Sequence, residues 1–402
     1  MSGPPPGLRD HLALALVPGL GPRLTRAVLD HFGSPAAALA ASAAQLEAVP
    51  QVGPTLARRF ADAFRSADVE AEWAEVVGHN VRVILPGDAE YPARLAAIPD
   101  PPPLVYLRGE LTPADANAVA VVGSRACTAY GKRMAERIAA GLAAAGWTVV
   151  SGLARGIDGA AHRGALQAGG RTVAVLAGGL ASIYPPEHAD LAERVVGQGA
   201  LVSETPMTVD PQPGMFPARN RIISGLARAV VVVEANARSG ALITARHALE
   251  QGREVFAVPG PVDSPASAGC LLLIRNGARL VRSADDVLED LKGIAAAEYP
   301  SRGTGDRSRE TGDREQETAG KQPGISDAGS ELAPVSGPPA PELPPDLDPT
   351  YRRVWDALAG RRHADELARE LGMPVARLSA VLMGLEMRRL VRRLPGNFYE
   401  RR

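Results

Sequence analysis

The feature that most constrains this chain is residues 118–291, where short apolar runs alternate with Ala-rich segments of helical period. The runs at 119–122, 148–150, 172–176, 201–203, 230–233 and 255–258 are apolar at nearly every position, as expected of strands buried on both faces. Helical segments at 132–145, 160–168, 222–227 and 244–251 supply the crossovers that parallel strands need. The pattern predicts an α/β fold with a Rossmann-like, doubly wound, mostly parallel sheet. In such sheets ligands sit beyond the carboxyl ends of the strands, where loops meet helix N-termini.

The residues best suited to holding an anion fall at those places. After the first run come Gly123, Ser124 and Arg125. A glycine there lets backbone N–H groups approach an anion, the hydroxyl donates, and the guanidinium grips phosphate with two parallel bonds. The second run ends in Ser151-Gly152-Leu153-Ala154-Arg155-Gly156-Ile157-Asp158, again an Arg between glycines, with Asp158 placed to cap a helix or orient Arg155. Further on, Phe216 precedes Arg219, Asn220 and Arg221, and Ser239-Gly240 follows another run. Phe216 offers a stacking face, and the three polar residues concentrate donors. The competing reading of the Arg pair is a structural bond to Glu204 or Glu234. His162 reads as a packed or capping histidine, since no activated nucleophile is recognisable nearby.

The same loops exclude several chemistries. They contain neither the dinucleotide fingerprint G-x-G-x-x-G nor a Walker Gly-Lys-Ser/Thr, and no metal-ligand spacing, nucleophile elbow or acid/base carboxylate pair. No catalytic residue, metal or cofactor is expected. Two cysteines, Cys127 and Cys270, cannot build a disulfide framework. No apolar run is long enough to span a bilayer, and the N-terminus lacks a secretory pattern, so a cytoplasmic protein without membrane contact is expected.

Outside the sheet, Val17-Pro18-Gly19-Leu20-Gly21-Pro22 is echoed 32 residues later by Val49-Pro50-Gln51-Val52-Gly53-Pro54. Each copy reads as helix, tight turn, helix, and the pair resembles tandem helix-hairpin-helix motifs. Residues 300–345 are rich in Gly, Pro, Ser and charge and too poor in apolar groups to offset their ordering entropy. The tail from Pro349 carries twelve Arg and no Lys against six acidic residues, so it stands at +6 in a chain of net charge −1. That asymmetry points to a polyanion. The expected division is a helical module at 1–75, an extended sheet domain at 76–298, a disordered linker at 299–348 and a winged helix at 349–402. In the last, 374–387 would be the second helix of a helix-turn-helix, with Arg388, Arg389, Arg392 and Arg393 adding phosphate contacts.

Taken together, the motifs closely resemble the DprA/Smf family of bacterial DNA-processing proteins. Matching stretches are Tyr91-Pro92, Pro103 to Gly109, Val121 to Arg125, Ser151 to Asp158, Phe216 to Arg221, Ser239 to Ala245, Pro259-Gly260 and Gly277-Ala278. Leu271 departs from the pattern, which usually has Asn there. The resemblance implies a non-catalytic homodimer that binds single-stranded DNA and loads the RecA recombinase in transformation and recombination. The tail fits the winged-helix module that many members carry, and its +6 balance favours duplex contact over a protein-docking role. By matching position the resemblance implies DNA contact at Gly123, Ser124, Arg125, Ser151, Gly152, Arg155, Arg219, Asn220 and Arg221, and Gly156, Ser239 and Gly240 in the same ring of loops complete the expected contact set. The alternative is a Rossmann enzyme of the nucleoside monophosphate phosphoribohydrolase type, but Pro259-Gly260-Pro261-Val262 lacks that family's Gly-Thr element and its Glu.

Overall fold

The computed structural model describes residues 3–298, 349–358, 360–373, 378, 381–382, 385, 390–394 and 398–401. The expected linker therefore lies outside the described residues. The chain divides into two units, residues 1–306 and 307–402.

The first unit is organised by nine strands: β1 (Arg82–Ile84), β2 (Val105–Gly109), β3 (Ala118–Gly123), β4 (Thr148–Ser151), β5 (Thr172–Val175), β6 (Gly199–Ser203), β7 (Ala229–Glu234), β8 (Glu254–Ala257) and β9 (Arg279–Leu280). Their spatial order is β1-β2-β6-β5-β4-β3-β7-β8-β9. All neighbours from β6 to β9 run parallel; β1 and β2 are antiparallel additions at one edge. Three of these strands escape the sequence pattern. β1 and β9 are very short, and β2 follows a run of prolines, which cannot donate to a ladder and so read as loop.

Alternation along β3 shows why helices must cover both faces. Ala118, Ala120 and Val122 pack in one cluster with Ile222, Ile223 and Ala245, from helices Met215–Leu226 and Ala241–Glu250. Val119 and Val121 join Ile138, Leu142 and Ile157 on the other side, from helices Ala129–Ala144 and Ile157–Gln167. The result is a three-layer sandwich whose strand ends remain open.

The helical N-terminal segment shares a cluster with the sheet domain, in which Leu12, Val69 and Val76 meet Tyr106, Leu176 and Met207. The internal echo is visible in its backbone. Gly19 turns the first hairpin at φ +86°, and Gln51, 32 residues later, takes the same left-handed region at +71°. The second copy thus keeps the turn despite lacking the glycine, at the cost of placing an L side chain where few go.

In the second unit, β10 (Arg362–His363), β12 (Phe398–Arg401) and β11 (Val391–Leu394) form a three-stranded sheet in that order. Helix Pro349–Ala357 precedes β10, and helix Ala364–Leu371 follows it directly. Val354, Leu367, Leu378, Leu382, Leu385 and Val391 share its core. This is a winged-helix arrangement. Of the expected second helix at 374–387, residues 378, 381–382 and 385 are described; the rest lies outside the described residues, as do Arg388 and Arg389. Arg392 pairs with Glu400 across the wing, and Arg393 lies on β11.

Candidate nucleic-acid interface

From β3 the chain moves outward through β4, β5 and β6, then returns to lay β7 on the other side of β3. The loops leaving β3 and β7 therefore diverge and open a crevice at the topological switch point. A groove with a cavity volume of about 700 Å³ lies there, lined by Gly123, Ser124, Arg125, Arg219, Asn220, Ser239 and Gly240. A smaller inner chamber shares Arg125, Ala154, Tyr184, Pro211, Phe216 and Arg219 with it and adds Gly152 and Arg155.

The cations of this region have different occupations. Arg125 is exposed, its guanidinium 4.3 Å from the centroid of the Phe216 ring, and among the described residues it has no ion-pair partner. Tyr184 stands beside Phe216, ring centroids 6.0 Å apart, and Arg155 lies 5.9 Å from the Tyr184 ring. The line of guanidinium, ring, ring, guanidinium forms an amphipathic ledge. Arg155 is bound by both carboxylate oxygens of Glu187.

Arg219 is buried. It donates through Nη1 to the Val175 carbonyl at 2.6 Å, and its Nε has no partner among the described residues. Burial lowers its pKa to about 10, opposed by the Asp158 carboxylate and reinforced by Arg125. Asp158, itself fully enclosed, has its pKa raised by burial, with Arg219 pulling the other way. It accepts from Gly152 N–H at 3.2 Å, so its partners are Arg219 and the loop; Arg155 belongs to Glu187.

Two expected contacts are corrected. Arg221 is only 4% exposed at its side chain and is held by Glu204 at 2.6 and 3.1 Å and by Asp100 at 3.4 Å. It faces the scaffold, on the structural reading of the Arg pair, with Glu204 and Asp100 as partners. Glu234 instead accepts from the Thr128 amide at 2.9 Å and from its hydroxyl, closing the loop that carries Ser124 and Arg125. Ser151 is fully buried and donates from Oγ to the Val121 carbonyl at 2.7 Å, which locks β4 to β3.

The glycine loops are likewise packing devices more than open amide cradles. The Ser124 N–H is spent on the Glu234 carbonyl at 2.7 Å, and the Gly152 N–H on Asp158. A Cβ at Gly152 would stand 1.8 Å from Arg219 Nη1. Gly156, at φ +75°, lets the second loop lie against the Ser124 and Arg125 carbonyls. Between them Leu153 adopts φ +54°, and its carbonyl accepts from His188 Nδ1 at 2.8 Å. Asn220 makes only a long contact, 3.4 Å, to the Gly240 carbonyl. His162 is buried, bonded through Nδ1 to Thr172 at 2.7 Å, and burial drives its pKa down to about 3.

Among the described residues no cluster of His, Cys, Asp and Glu could hold a metal ion, and no helix is long and apolar enough to cross a membrane. Sequence reasoning missed Tyr184 and Glu187. The available signal was an aromatic residue just past a strand exit in a chain with only 4% aromatics.

The family model described as DNA recombination-mediator protein A matches residues 82–292, more than half the chain. The chain belongs to the DprA/Smf family of DNA-processing proteins. Models of a SAM-like helix-hairpin-helix tandem and of a DprA winged helix domain match residues 12–66 and 338–397. Protein Smf of Synechocystis is 35% identical over 399 residues, covering 97% of this chain and 98% of the relative. Protein Smf of Escherichia coli is 49% identical over 248 residues, 60% of this chain and 65% of its own length. The X-ray structure of DprA from Streptococcus pneumoniae superposes with a TM-score of 0.61 at 36% identity, over 70% of this chain and 97% of that one. The DprA/Smf match centres on the sheet domain whose switch point opens the groove. Leu271, expected from the family resemblance to be a departure, lies in helix Ala268–Arg275 and is not among the residues lining that groove.

Proposed function

We propose that this DprA/Smf member is a non-catalytic mediator that holds single-stranded DNA in the switch-point groove and presents it to the RecA recombinase. The observation that carries the reading is Arg125: an exposed, unneutralised guanidinium set over Phe216 at the mouth of the groove. A duplex hides base faces inside its stack, whereas unpaired bases can lie on Phe216 and Tyr184 while Arg125 meets the phosphate. Gly123, Ser124, Asn220, Ser239 and Gly240 line the path of the strand. The groove has the size of a small-ligand pocket. It therefore grips a short stretch and leaves the flanking strand open for a recombinase.

Self-association as a homodimer, a cytoplasmic setting and duplex contact through the Arg-rich winged helix belong to the same reading. Phosphoribohydrolase chemistry is disfavoured by a groove whose buried carboxylate, Asp158, accepts from the Gly152 N–H and feels the nearby Arg219 charge.

The test is single-strand affinity measured against salt for the full chain and for Arg125→Ala. Losing one phosphate contact weakens binding and flattens the slope of log K against log salt by about one unit or less. Truncation after Glu298 should weaken duplex binding more than single-strand binding. Unchanged affinity and slope in Arg125→Ala would refute the assignment, and base release from nucleoside monophosphates would favour an enzyme.

A further inference from the structure

At the outer end of the ledge, the Glu187 carboxylate engages one edge of the Arg155 guanidinium. Arg155 and Glu187 are about half exposed, 52% and 50% at their side chains, and meet fork to fork. The pairing stabilises the charged form of both, raising the arginine's pKa and lowering the carboxylate's through their mutual hydrogen bonds. Glu187 does not drift on a free loop. It sits in the short turn Pro186–His188, whose His188 ring is buried and bonded to the Leu153 carbonyl. That bond fixes the turn to the very loop that carries Arg155.

We propose that Glu187 is a built-in competitor of DNA phosphate for Arg155, an acidic residue that limits single-strand affinity at the rim of the groove. The inference rests on the reading of the groove as a single-strand site. A guanidinium engaged by both oxygens of a carboxylate cannot offer the same edge to a phosphate. The incoming backbone must displace Glu187 and then lie beside its charge. An exposed ion pair is weak, so the exchange is readily reversible. The occupant stays bound through Arg125 and the rings, while the second cation is released only when a phosphate is close enough to compete. Such a device favours quick hand-over of the strand over tight retention.

The experiment titrates a labelled oligodeoxythymidine with the full chain, with E187Q, with R155A and with the double variant, at low and at high salt. Both substitutions are at half-exposed positions, so the core is left intact. E187Q should tighten binding about two- to fivefold at low salt, the range set by an exposed ion pair, and the gain should shrink as salt screens the charges. In the R155A background the same substitution should gain less than half as much.

Binding by wild type and weakening in R155A without tightening in E187Q would overturn the proposal while leaving the groove assignment in place. Weaker binding in E187Q would make Glu187 a support of Arg155. Equal gains with and without Arg155 would reduce the effect to bulk charge. A wild-type protein with no affinity for the oligonucleotide would remove the underlying reading and this inference together.

Discussion

Replacing Arg221 with Leu separates scaffold cations from binding cations. The guanidinium lies between Glu204 and Asp100, whose side chains are only 16% and 19% exposed. Its removal leaves two poorly solvated carboxylates facing each other. Breaking a buried pair from one side costs about 3–5 kcal/mol. The first unit spans about 300 residues, and unfolding entropy of about 2.1 cal/mol/K per residue gives about 0.6 kcal/mol/K, so the melting temperature should fall by about 5–8 °C. Arg125→Ala, at an exposed position, should move it by less than about 1 °C. The deficit of Arg221→Leu should also depend on pH in a defined direction. Burial already raises the Glu204 pKa, and Arg221 is the main force holding it down. Without Arg221 the folded state binds that proton more tightly than the unfolded state does, so the deficit shrinks as pH falls through the carboxylate range and grows as pH rises. Differential scanning calorimetry at several pH values, paired with single-strand titrations, reads both effects. A variant that melts like wild type yet loses affinity and salt slope would show Arg221 to be a phosphate contact and would refute the division drawn here.

Two further predictions concern the loops behind the groove. His162 is neutral when folded, with its pKa lowered to about 3 by burial. A depressed histidine gives stability that is present above its unfolded value and lost as pH falls, so this group alone should cost about 2 kcal/mol by pH 5. His162→Asn should flatten the stability profile between pH 7 and pH 5, and parallel profiles would count against a neutral buried ring. Gly152→Ala would press a methyl group against Arg219, pinned by the Val175 carbonyl. Overpacking of this kind costs about 1–3 kcal/mol; the variant should melt lower and bind single strands less well, and an unchanged melting curve would contradict the described contact.

The fold was legible because strands buried on both faces leave a continuous apolar signal. β1 is a three-residue strand at the sheet edge, and the short apolar run of β2 stands directly behind three prolines, so neither reads as a strand. At the site, residue type and strand-exit position identified which loops meet, but could not say which donors were already in use. Arg219, Asn220 and Arg221 are consecutive, yet one reaches the Val175 carbonyl, one lines the groove, and one is enclosed by acids. Asp100 and Glu204, which settle the fate of Arg221, stand far from it in sequence. Tyr184 and Glu187 lie outside every motif, and only the closure of the loop after β5 brings them to the Arg125 ledge.

On the proposed reading, this distribution of charge sets how the groove would hold a strand. Arg221 is paired with Glu204 and Asp100 and Arg155 with Glu187, and the buried Arg219 feels the Asp158 charge. Among the described residues, the exposed cations of the groove without an ion-pair partner are therefore Arg125 on its wall and Arg238 on the rim loop between Asn236 and Ser239. For single strands log K falls by about 0.7 per phosphate neutralised for each tenfold rise in salt. One or two contacts therefore give a shallow slope and little affinity at physiological salt. Base stacking on an aromatic side chain is worth about 1–3 kcal/mol per base and is nearly insensitive to salt. The Phe216 and Tyr184 rings must then carry the larger share of binding to the isolated sheet domain. A steep slope in that domain would mean that phosphates, and cations outside this groove, dominate instead.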